Sequence, residues 1–434
     1  MKIFVLIVFI LVYVLILAKP KLKVFFAGGA ALLTAGGLIV FGQASLIDGL
    51  SSINYNVILM LLGIMITVGL FSESGMPNRL ANKLMSKIPN ALSAVIIVCV
   101  LSGVVSAFID NVATVLMLAP VGFALAKKAD VSPIPVIIGI AVSSNLQGAA
   151  TLVGDTTSIM LAAPDFANMS FMDFFFMDGK ISIFWAVELG MLLTIPVLYF
   201  IFRKNNKRIT IENEYVEVTS IVPTILLLVN LALLVVSSFI PNKPEITNGV
   251  ICMVIGIIGF IFYSIKFKKS VVDIAKSTID FETIFFLLFL FILIFAVEKV
   301  GIIKDISDFF AKLGNTNVFL LYTVIVFASV IISAFIDNIP YVATMLPVIA
   351  KLCVTLASNG VMVEPNLLYF GLLIGATLGG NITPVGASAN VVGIGFLRKE
   401  GYEVSSKDFF KIGIPFTLVA VFGGYILMYL VWGI

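Results

Sequence analysis

Apolar residues run along the chain in blocks of bilayer length, near 3–18, 24–41, 54–72, 181–202, 221–240, 248–265, 281–298 and 412–433. Each is long enough to predict one membrane-spanning helix. Four other stretches break this pattern. Residues 89–126 and 317–357 each hold two apolar arms that meet at an Asp-Asn pair, and residues 134–163 and 367–396 are each interrupted midway by a polar, glycine-rich patch. The pattern predicts an all-α polytopic fold with about ten spanning helices, two of them broken.

Composition agrees. The chain has 434 residues, is 60% hydrophobic and 12% charged, and has a mean hydropathy of +1.16. Soluble domains carry roughly 25% charged residues. No connector is long enough for a separate soluble domain. Histidine is absent, which removes the commonest metal ligand and the usual proton relay near neutral pH. Cys99, Cys252 and Cys353 each sit in an apolar run and read as small packing residues. Residues 1–18 have the outline of a signal peptide but lack a small-residue cleavage site, so they read as a first spanning helix.

Charge sets an expected orientation. With the N-terminus outside, the inner loops collect Lys19, Lys21 and Lys23; Arg79, Lys83 and Lys87; Lys127 and Lys128; Arg203, Lys204, Lys207 and Arg208; Lys266, Lys268, Lys269 and Lys276; and Arg398, Lys399, Lys407 and Lys411. These are 20 of the 27 basic residues, and an excess of Lys and Arg marks the cytoplasmic side. The count holds only if 89–126 does not cross, because basic residues flank both of its ends. It is then a re-entrant hairpin entering from inside and turning at Asp110-Asn111. By the same count 317–357 enters from outside and turns at Asp337-Asn338.

The hexapeptide Ser-Ala-Phe-Ile-Asp-Asn occurs at Ser106–Asn111 and again at Ser333–Asn338. Gly75 pairs with Gly301 at an offset of 226, the hexapeptides pair at 227, and Gly148-Ala-Ala-Thr151-Leu-Val-Gly154 pairs with Gly380-Asn-Ile-Thr383-Pro-Val-Gly386 at 232. Equal order with opposite orientation predicts an inverted-topology repeat. The first repeat is 1–202 and the second 221–434. Residues 203–220, which include Glu212, Glu214 and Glu217, form a cytoplasmic linker.

An acid within a membrane span is costly and is functional by default. Asp110 and Asp337 supply carboxylates at the two tips, and Asn111 and Asn338 supply amides. The competing role for each Asp is to cap the helix that follows. In the broken spans Asn145, Gly148, Thr151, Gly154, Asp155 and Thr156 match a second set of Gly380, Asn381, Thr383, Gly386, Ser388 and Asn390. Free carbonyls, hydroxyls and amides at such a break suit a small cation or a substrate, against the alternative of glycine-mediated helix packing. Asp155 has no acidic counterpart, since Ala387 stands at its match. Glu188 lies inside an apolar span with a functional and an interhelical role both open, Glu298 reads as a local pair with Lys299, and Lys351 reads as snorkelling to the surface. No Arg lies at a tip or a break, so a guanidinium clamp for a di- or tricarboxylate is absent.

Phe108-Ile-Asp110-Asn111-Val-Ala-Thr114, Gly148 through Asp155, Phe335-Ile-Asp337-Asn338-Ile-Pro-Tyr-Val-Ala-Thr344 and Gly379 through Asn390 together resemble the ion transporter superfamily. Within it they are most similar to the citrate transporter-like permeases of the arsenite-permease, NhaD-type antiporter and P protein branch. The resemblance implies a scaffold domain and a mobile domain holding two opposed hairpins, elevator-like movement and a homodimer. It also adds Thr114 and Thr344 to the site. Dicarboxylate/sodium symporters of this superfamily carry Ser-Asn-Thr at both tips, where this chain has Asp110-Asn111-Val112 and Asp337-Asn338-Ile339.

The expected function is ion-coupled secondary transport in the plasma or inner membrane, of a sodium/proton antiporter or proton- or sodium-coupled permease type. The alternatives are arsenite or oxyanion efflux, organic-anion transport and, remotely, an intramembrane aspartyl protease. Expected partners are the bilayer, a small inorganic ion or small anion as cargo, and a second copy of the chain, with no nucleic acid. No cofactor or resident metal is expected beyond sodium or proton as coupling ion, although a monovalent cation could share the site.

Overall fold

The structure, a computed structural model, describes residues 1–205, 207–208 and 216–434. Among the described residues twenty α-helices divide evenly between the halves. The first half contains α1 (Lys2–Ala18), α2 (Lys23–Val40), α3 (Leu46–Ser51), α4 (Tyr55–Glu73), α5 (Met76–Met85), α6 (Ala91–Ser106), α7 (Asn111–Lys128), α8 (Pro133–Gln147), α9 (Thr156–Leu161) and α10 (Ile183–Phe202). The second contains α11 (Val222–Ser238), α12 (Thr247–Phe267), α13 (Val271–Thr278), α14 (Phe281–Lys299), α15 (Ile302–Thr316), α16 (Val318–Ser333), α17 (Asn338–Ser358), α18 (Pro365–Gly379), α19 (Ser388–Lys399) and α20 (Ser406–Trp432). The all-α expectation needs one small correction: Phe176–Met177 and Lys180–Ile181 form an antiparallel two-stranded hairpin before α10.

Among the described residues eight stretches are long and apolar enough to cross a bilayer: Pro20–Val40, α4, α7, α10, α12, α14, α17 and α20. The chain is a multi-pass, mostly helical membrane protein. Among the eight, α7 and α17 are the second arms of the stretches expected as hairpins. The segments expected to span at 3–18 and 221–240 form α1 and α11, each 17 residues long, which is near the lower limit for crossing.

Capping side chains explain where the helices start, and they recur in register between the halves. Ser45 and Ser270 cap α3 and α13 by accepting from the backbone N–H of Asp48 and Asp273. The return bond from Ser45 holds the Asp48 carboxyl below the usual carboxylate range. Asn54 and Asp280 cap α4 and α14, and Asn90 and Asn317 cap α6 and α16. Gly75 and Gly301 precede α5 and α15 with φ of 77° and 81°, a left-handed turn that favours glycine.

Packing relates the halves as well. α4 lies along α12 and α2 along α14. Asn56 accepts from the Gly249 N–H at 2.7 Å, Gly63 meets Gly256, and Leu70 meets Gly259, so α4 and α12 run parallel. Lys23 pairs with Glu282, and Gly28 lies under the Phe289 ring, so α2 and α14 also run parallel. Matching helices from the two halves instead meet antiparallel. The Trp432 indole donates to the Ile181 carbonyl at 3.0 Å while Gly190 packs on Ala420, which orients α10 against α20. Asn145 reaches Thr377 and Val142 reaches Asn381, which does the same for α8 and α18.

Burial orders the layers. Every residue of α18 after Pro365 is buried, as is α8 from Val136 to Gln147. By contrast α1, α2, α11 and α12 expose Ile7, Ile10, Leu32, Leu33, Leu228 and Ile261, the pattern of a lipid-facing rim. The described parts of the 203–220 connector touch both ends of the first half's helices: Lys207 O accepts from the Ala91 N–H, and the Thr219 N–H donates to Ser74 O. Glu212 and Glu214 lie outside the described residues.

The α4–α12 contact tolerates no side chain at Gly63, where a Cβ would lie 2.1 Å from the Cys252 carbonyl carbon. We expect Gly63→Ala to destabilise the detergent-purified protein by about 1–3 kcal/mol, the cost of overpacking, read as a lowered thermal midpoint. Gly29→Ala, with nothing within 4 Å of the added Cβ, should leave the midpoint unchanged.

Candidate functional site

Three carboxylates converge on one cavity of about 380 Å³. Asp110 and Asp337 come from the turns between α6 and α7 and between α16 and α17, and Asp155 comes from the break between α8 and α9. The walls between them are apolar, from α4 (Leu61, Met65, Val68) and α7 (Leu116). No Arg lines the cavity.

The acids are held differently. Asp110 caps α7, accepting from the N–H groups of Val112 at 3.0 Å and Ala113 at 3.2 Å. The capping role and the site role therefore fall on one side chain. Asp337 precedes α17 at the matching position but makes no side-chain cap. It accepts from the Ser388 hydroxyl at 3.0 Å. Asp155 accepts from the Asn338 amide at 2.7 Å and the Thr157 hydroxyl at 3.2 Å. The Asn338–Asp155 bond joins the second tip to the first half's break.

A chain of amides runs behind the cavity. Asn111 donates to Asn145 at 3.0 Å, and Asn145 donates to Thr377 O at 2.7 Å and to Asn381 Oδ1 at 3.0 Å. Asn381 donates in turn to Val142 O at 2.9 Å. Asn145 and Asn381 are wholly buried and lock the two broken segments together.

Of the residues expected at the site, Asp110, Asn111, Gly154, Asp155, Thr156, Asp337, Asn338 and Ser388 line the cavity. Others stand behind it as supports. The Thr151 hydroxyl bonds to Ala107 O and the Thr383 hydroxyl to Ala334 O. Asn390 donates to Gly380 O and Thr383 O, both at 3.0 Å. Gly148 and Gly386 allow close backbone approach: a Cβ at Gly148 would lie 3.0 Å from Asp155 Cβ, and one at Gly386 would lie 2.6 Å from Gly380 O. Thr344 bonds to the Tyr13 hydroxyl at 2.5 Å, tying α17 to α1. Thr114 is wholly buried with its hydroxyl unpartnered among the described residues.

Sequence reasoning missed Lys23, Glu73, Ser277, Thr278 and Asp280, which line the mouth. Lys23 pairs with Glu282 at 3.7 Å and Glu73 with Lys269 at 2.9 Å. The signal for Asp280 was available, because it matches Asn54 at the repeat offset of 226. Glu298, expected to pair with Lys299, has no ion pair within 4.0 Å among the described residues; it lines a second cavity with Lys351 and Asp165. With five acids against one Lys, the main cavity attracts cations. Among the described residues no group of three or more His, Cys, Asp or Glu is placed to hold a metal ion.

Residues 4–375 match the CitMHS family, described as citrate transporter. The chain belongs to that family. It is 29% identical over 374 residues to an uncharacterized transporter of Mycobacterium bovis, covering 86% of this chain and 85% of that protein. Identity is 30% over 424 residues to the 46 kDa membrane protein of Mycobacterium leprae, covering 95% of each. Human P protein is 26% identical over 485 residues, which cover 94% of this chain and 57% of P protein. In structure the chain is similar to the YdaH transporter of Alcanivorax borkumensis, with a TM-score of 0.61, 18% identity, and coverage of 92% of this chain and 89% of that one. It is also similar to MtrF of Neisseria gonorrhoeae, assigned to a class of antimetabolite efflux pumps, with a TM-score of 0.58, 16% identity, and coverage of 92% and 85%. These two matches concern the fold. As a CitMHS member the chain is a secondary transporter.

The unequal tips make a stability prediction. Asp110→Ala removes a cap and should destabilise by ~1 kcal/mol, whereas Asp110→Asn keeps a capping side chain and should not. Asp337→Ala, which removes no cap bond and only the bond from the Ser388 hydroxyl, should lower the thermal midpoint less than Asp110→Ala. Melting of the three purified variants checks this.

Proposed function

We propose that this CitMHS member is an ion-coupled secondary transporter of the sodium/proton antiporter type, with Asp110, Asp155 and Asp337 as the groups that exchange a proton for a monovalent cation. The observation that carries this reading is the meeting of three carboxylates in one Arg-free cavity. A carboxylate can release its proton to make room for a cation, and competition between the two couples their fluxes. Sodium or proton is the coupling ion, and no cofactor takes part.

The halves 1–202 and 221–434, joined by 203–220, are read as an inverted repeat. The shared caps and the antiparallel meetings of α10 with α20 and α8 with α18 support this. The segments 89–126 and 317–357 are read as opposed re-entrant hairpins, with the N-terminus outside and the protein in the plasma or inner membrane as a homodimer. α2, α4, α12 and α14 would form a scaffold, and α6–α9 with α16–α19 the moving part.

A second cavity supports alternating access. It is lined by Ser51, Ser52, Asn54 and Val57, which match Ser277, Thr278, Asp280 and Thr283 of the first. Ala343 lines it where Leu116 lines the first, but Asp337 and Asn338 do not. It is thus the first cavity's counterpart by repeat, cut off from the tips.

Uptake of a small organic anion is the second reading, favoured by the family's description. Here bound cations on the acids would hold the anion, with the Asn338 amide and Ser388 hydroxyl as donors. Arsenite efflux has less support, since no cysteine lines the cavity.

In proteoliposomes, Asp110→Asn, Asp155→Asn and Asp337→Asn should each lower cation-driven proton flux roughly tenfold or more, about 1.4 kcal/mol in barrier. Unchanged pH-dependent flux in both tip variants would sink the reading. Citrate-driven flux that persists without sodium would favour the second reading. In a background lacking Cys99, Cys252 and Cys353, Leu116→Cys and Ala343→Cys should label with an impermeant maleimide from opposite sides of the membrane. Added sodium should move the two labelling rates in opposite directions, whereas labelling of both from one side would rule out the two-mouth arrangement.

A further inference from the structure

Behind the α8 break, away from the cavity, lies a second polar group. Gln147 is wholly buried, and neither atom of its amide has a hydrogen-bond partner among the described residues. Ser143, one turn earlier on α8, is also wholly buried with its hydroxyl unpartnered. Both face the seam between α6 and α10. A Cβ on Gly103 of α6 would lie 3.1 Å from Gln147 Cγ, 3.3 Å from Ser143 O and 2.0 Å from Met191 Cε of α10. Glu188 is one turn before Met191 on the same helix, half-buried, with its carboxyl facing the Gln147 amide.

Packing alone does not call for a glutamine here. In the second half Gly379 stands at the match of Gln147 and Val330 at the match of Gly103. There a Cβ on Gly379 would lie 2.7 Å from Val330 Cα and 2.7 Å from Val330 O, so the two backbones close the seam without a polar side chain. The first half has emptied the α6 side with Gly103 and placed an amide in the space.

Among the described residues nothing charged offsets Glu188. α6 and α8 carry no charged side chain, and the α6 thiol, Cys99, sits against Gly139. Lys407, Asp408 and Lys411 lie at the start of α20, whereas α10 begins beside the end of that helix. Tyr425 and Tyr429 of α20 stack on Tyr322, Lys180 lies over the Trp432 ring, and Arg203 and Lys204 follow the far end of α10. A carboxylate in such a span stays charged only with a cation or donors beside it. A protonated carboxyl can donate to Gln147 Oε1 and accept from Gln147 Nε2, which satisfies both unpartnered atoms. The ionised form can only accept.

We propose that Glu188 is a second proton-binding site, outside the transport cavity, with Gln147 as its hydrogen-bonding partner, and that it communicates with Asp155 across the break. The link is short: Gly148 follows Gln147, and a Cβ on Gly148 would lie 3.4 Å from Asp155 Oδ2. The cavity acids and Glu188 would then load protons in a coupled order. This goes beyond the antiporter reading and rests on it only for its role in transport.

Dicyclohexylcarbodiimide adds to protonated carboxyls in apolar surroundings, and mass spectrometry locates the adduct. In the full-length protein in proteoliposomes we expect labelling at Glu188 that falls as pH rises, with a single midpoint. Asp155→Asn should move that midpoint by about half a pH unit or more, and Gln147→Leu should also move it. In transport, Glu188→Gln should flatten the pH profile of flux while Glu188→Asp restores it, which a purely structural hydrogen bond would not do. No labelling at Glu188 between about pH 5 and pH 9 would overturn the site, and a midpoint unmoved by Asp155→Asn would overturn the link. Labelling needs no cargo, so intact labelling without any cation-driven flux would refute the antiporter reading and leave the site standing.

Discussion

The constraint on which the rest depends is that backbone freed by a helix break inside a membrane must be bonded by the protein itself. This chain breaks four helical stretches, two at the turns before α7 and α17 and two at the glycine-rich patches, and uses each to satisfy another. The tip carbonyls of Ala107 and Ala334 receive the hydroxyls of Thr151 and Thr383 from the broken segments. The Gly148 and Gly380 carbonyls left free at the breaks are met by Ser158 at 3.1 Å and Asn390 at 3.0 Å. Ser144 donates to Asn111 O at 3.0 Å, and Ser333 donates to Ala376 O at 2.5 Å. An unmet buried polar group costs about 1–3 kcal/mol, so tip and break stabilise each other and cannot be moved apart. The cavity exists because these sutures hold irregular backbone where a continuous helix would leave no room for side-chain acids.

Much of this was readable in the sequence because irregular backbone leaves a compositional trace. The Asp-Asn pairs, the glycine patches and the 227-residue repeat mark the four breaks, and α7 and α17 do begin at the paired asparagines. What the sequence concealed was which polar atoms point inward. Thr114 and Thr344 fall in the two matching Asp-Asn motifs, yet one is buried without a partner among the described residues and the other binds Tyr13 on α1. A motif identifies a segment, while the rotation of each side chain depends on neighbours far away in the chain. Asp280 shows the converse. It caps α14 like many acids at helix starts, and only the fold places that cap at the mouth of the cavity.

Helix pairing across the halves explains why α2 matters to a site that it lines only through Lys23. The close α4–α12 contact rests on Gly63 and Gly256, whereas α2 and α14 meet through Gly28 and Phe289. Phe289 stands at the repeat match of Gly63. One half therefore approaches backbone to backbone and the other through an aromatic ring. The walls formed by α4 and α14 therefore differ in how closely the helix behind each one approaches. A cavity on the α4 side that reaches the tips, beside one on the α14 side that does not, follows that difference.

Asymmetry of charge then restricts what the twin tips can do. Were the two halves chemically identical, Asp110 and Asp337 would be interchangeable, and a cation would have no reason to prefer one over the other. They are not identical. Asp110 has its carboxylate committed to two backbone N–H groups of α7, while Asp337 has one hydroxyl partner and no cap. Asp155, which faces Ala387 in the repeat, takes the amide of Asn338 and so connects the second tip to the first half's break. Binding a cation at Asp155 must compete with that amide, which is a donor and has nothing to offer a cation except its carbonyl oxygen. On the proposed reading, occupation of Asp155 would be felt at Asn338, the first residue of α17. Of the three carboxylates from the turns and the break, Asp155 alone lacks an acidic match, and it alone is bonded to a residue of the other half.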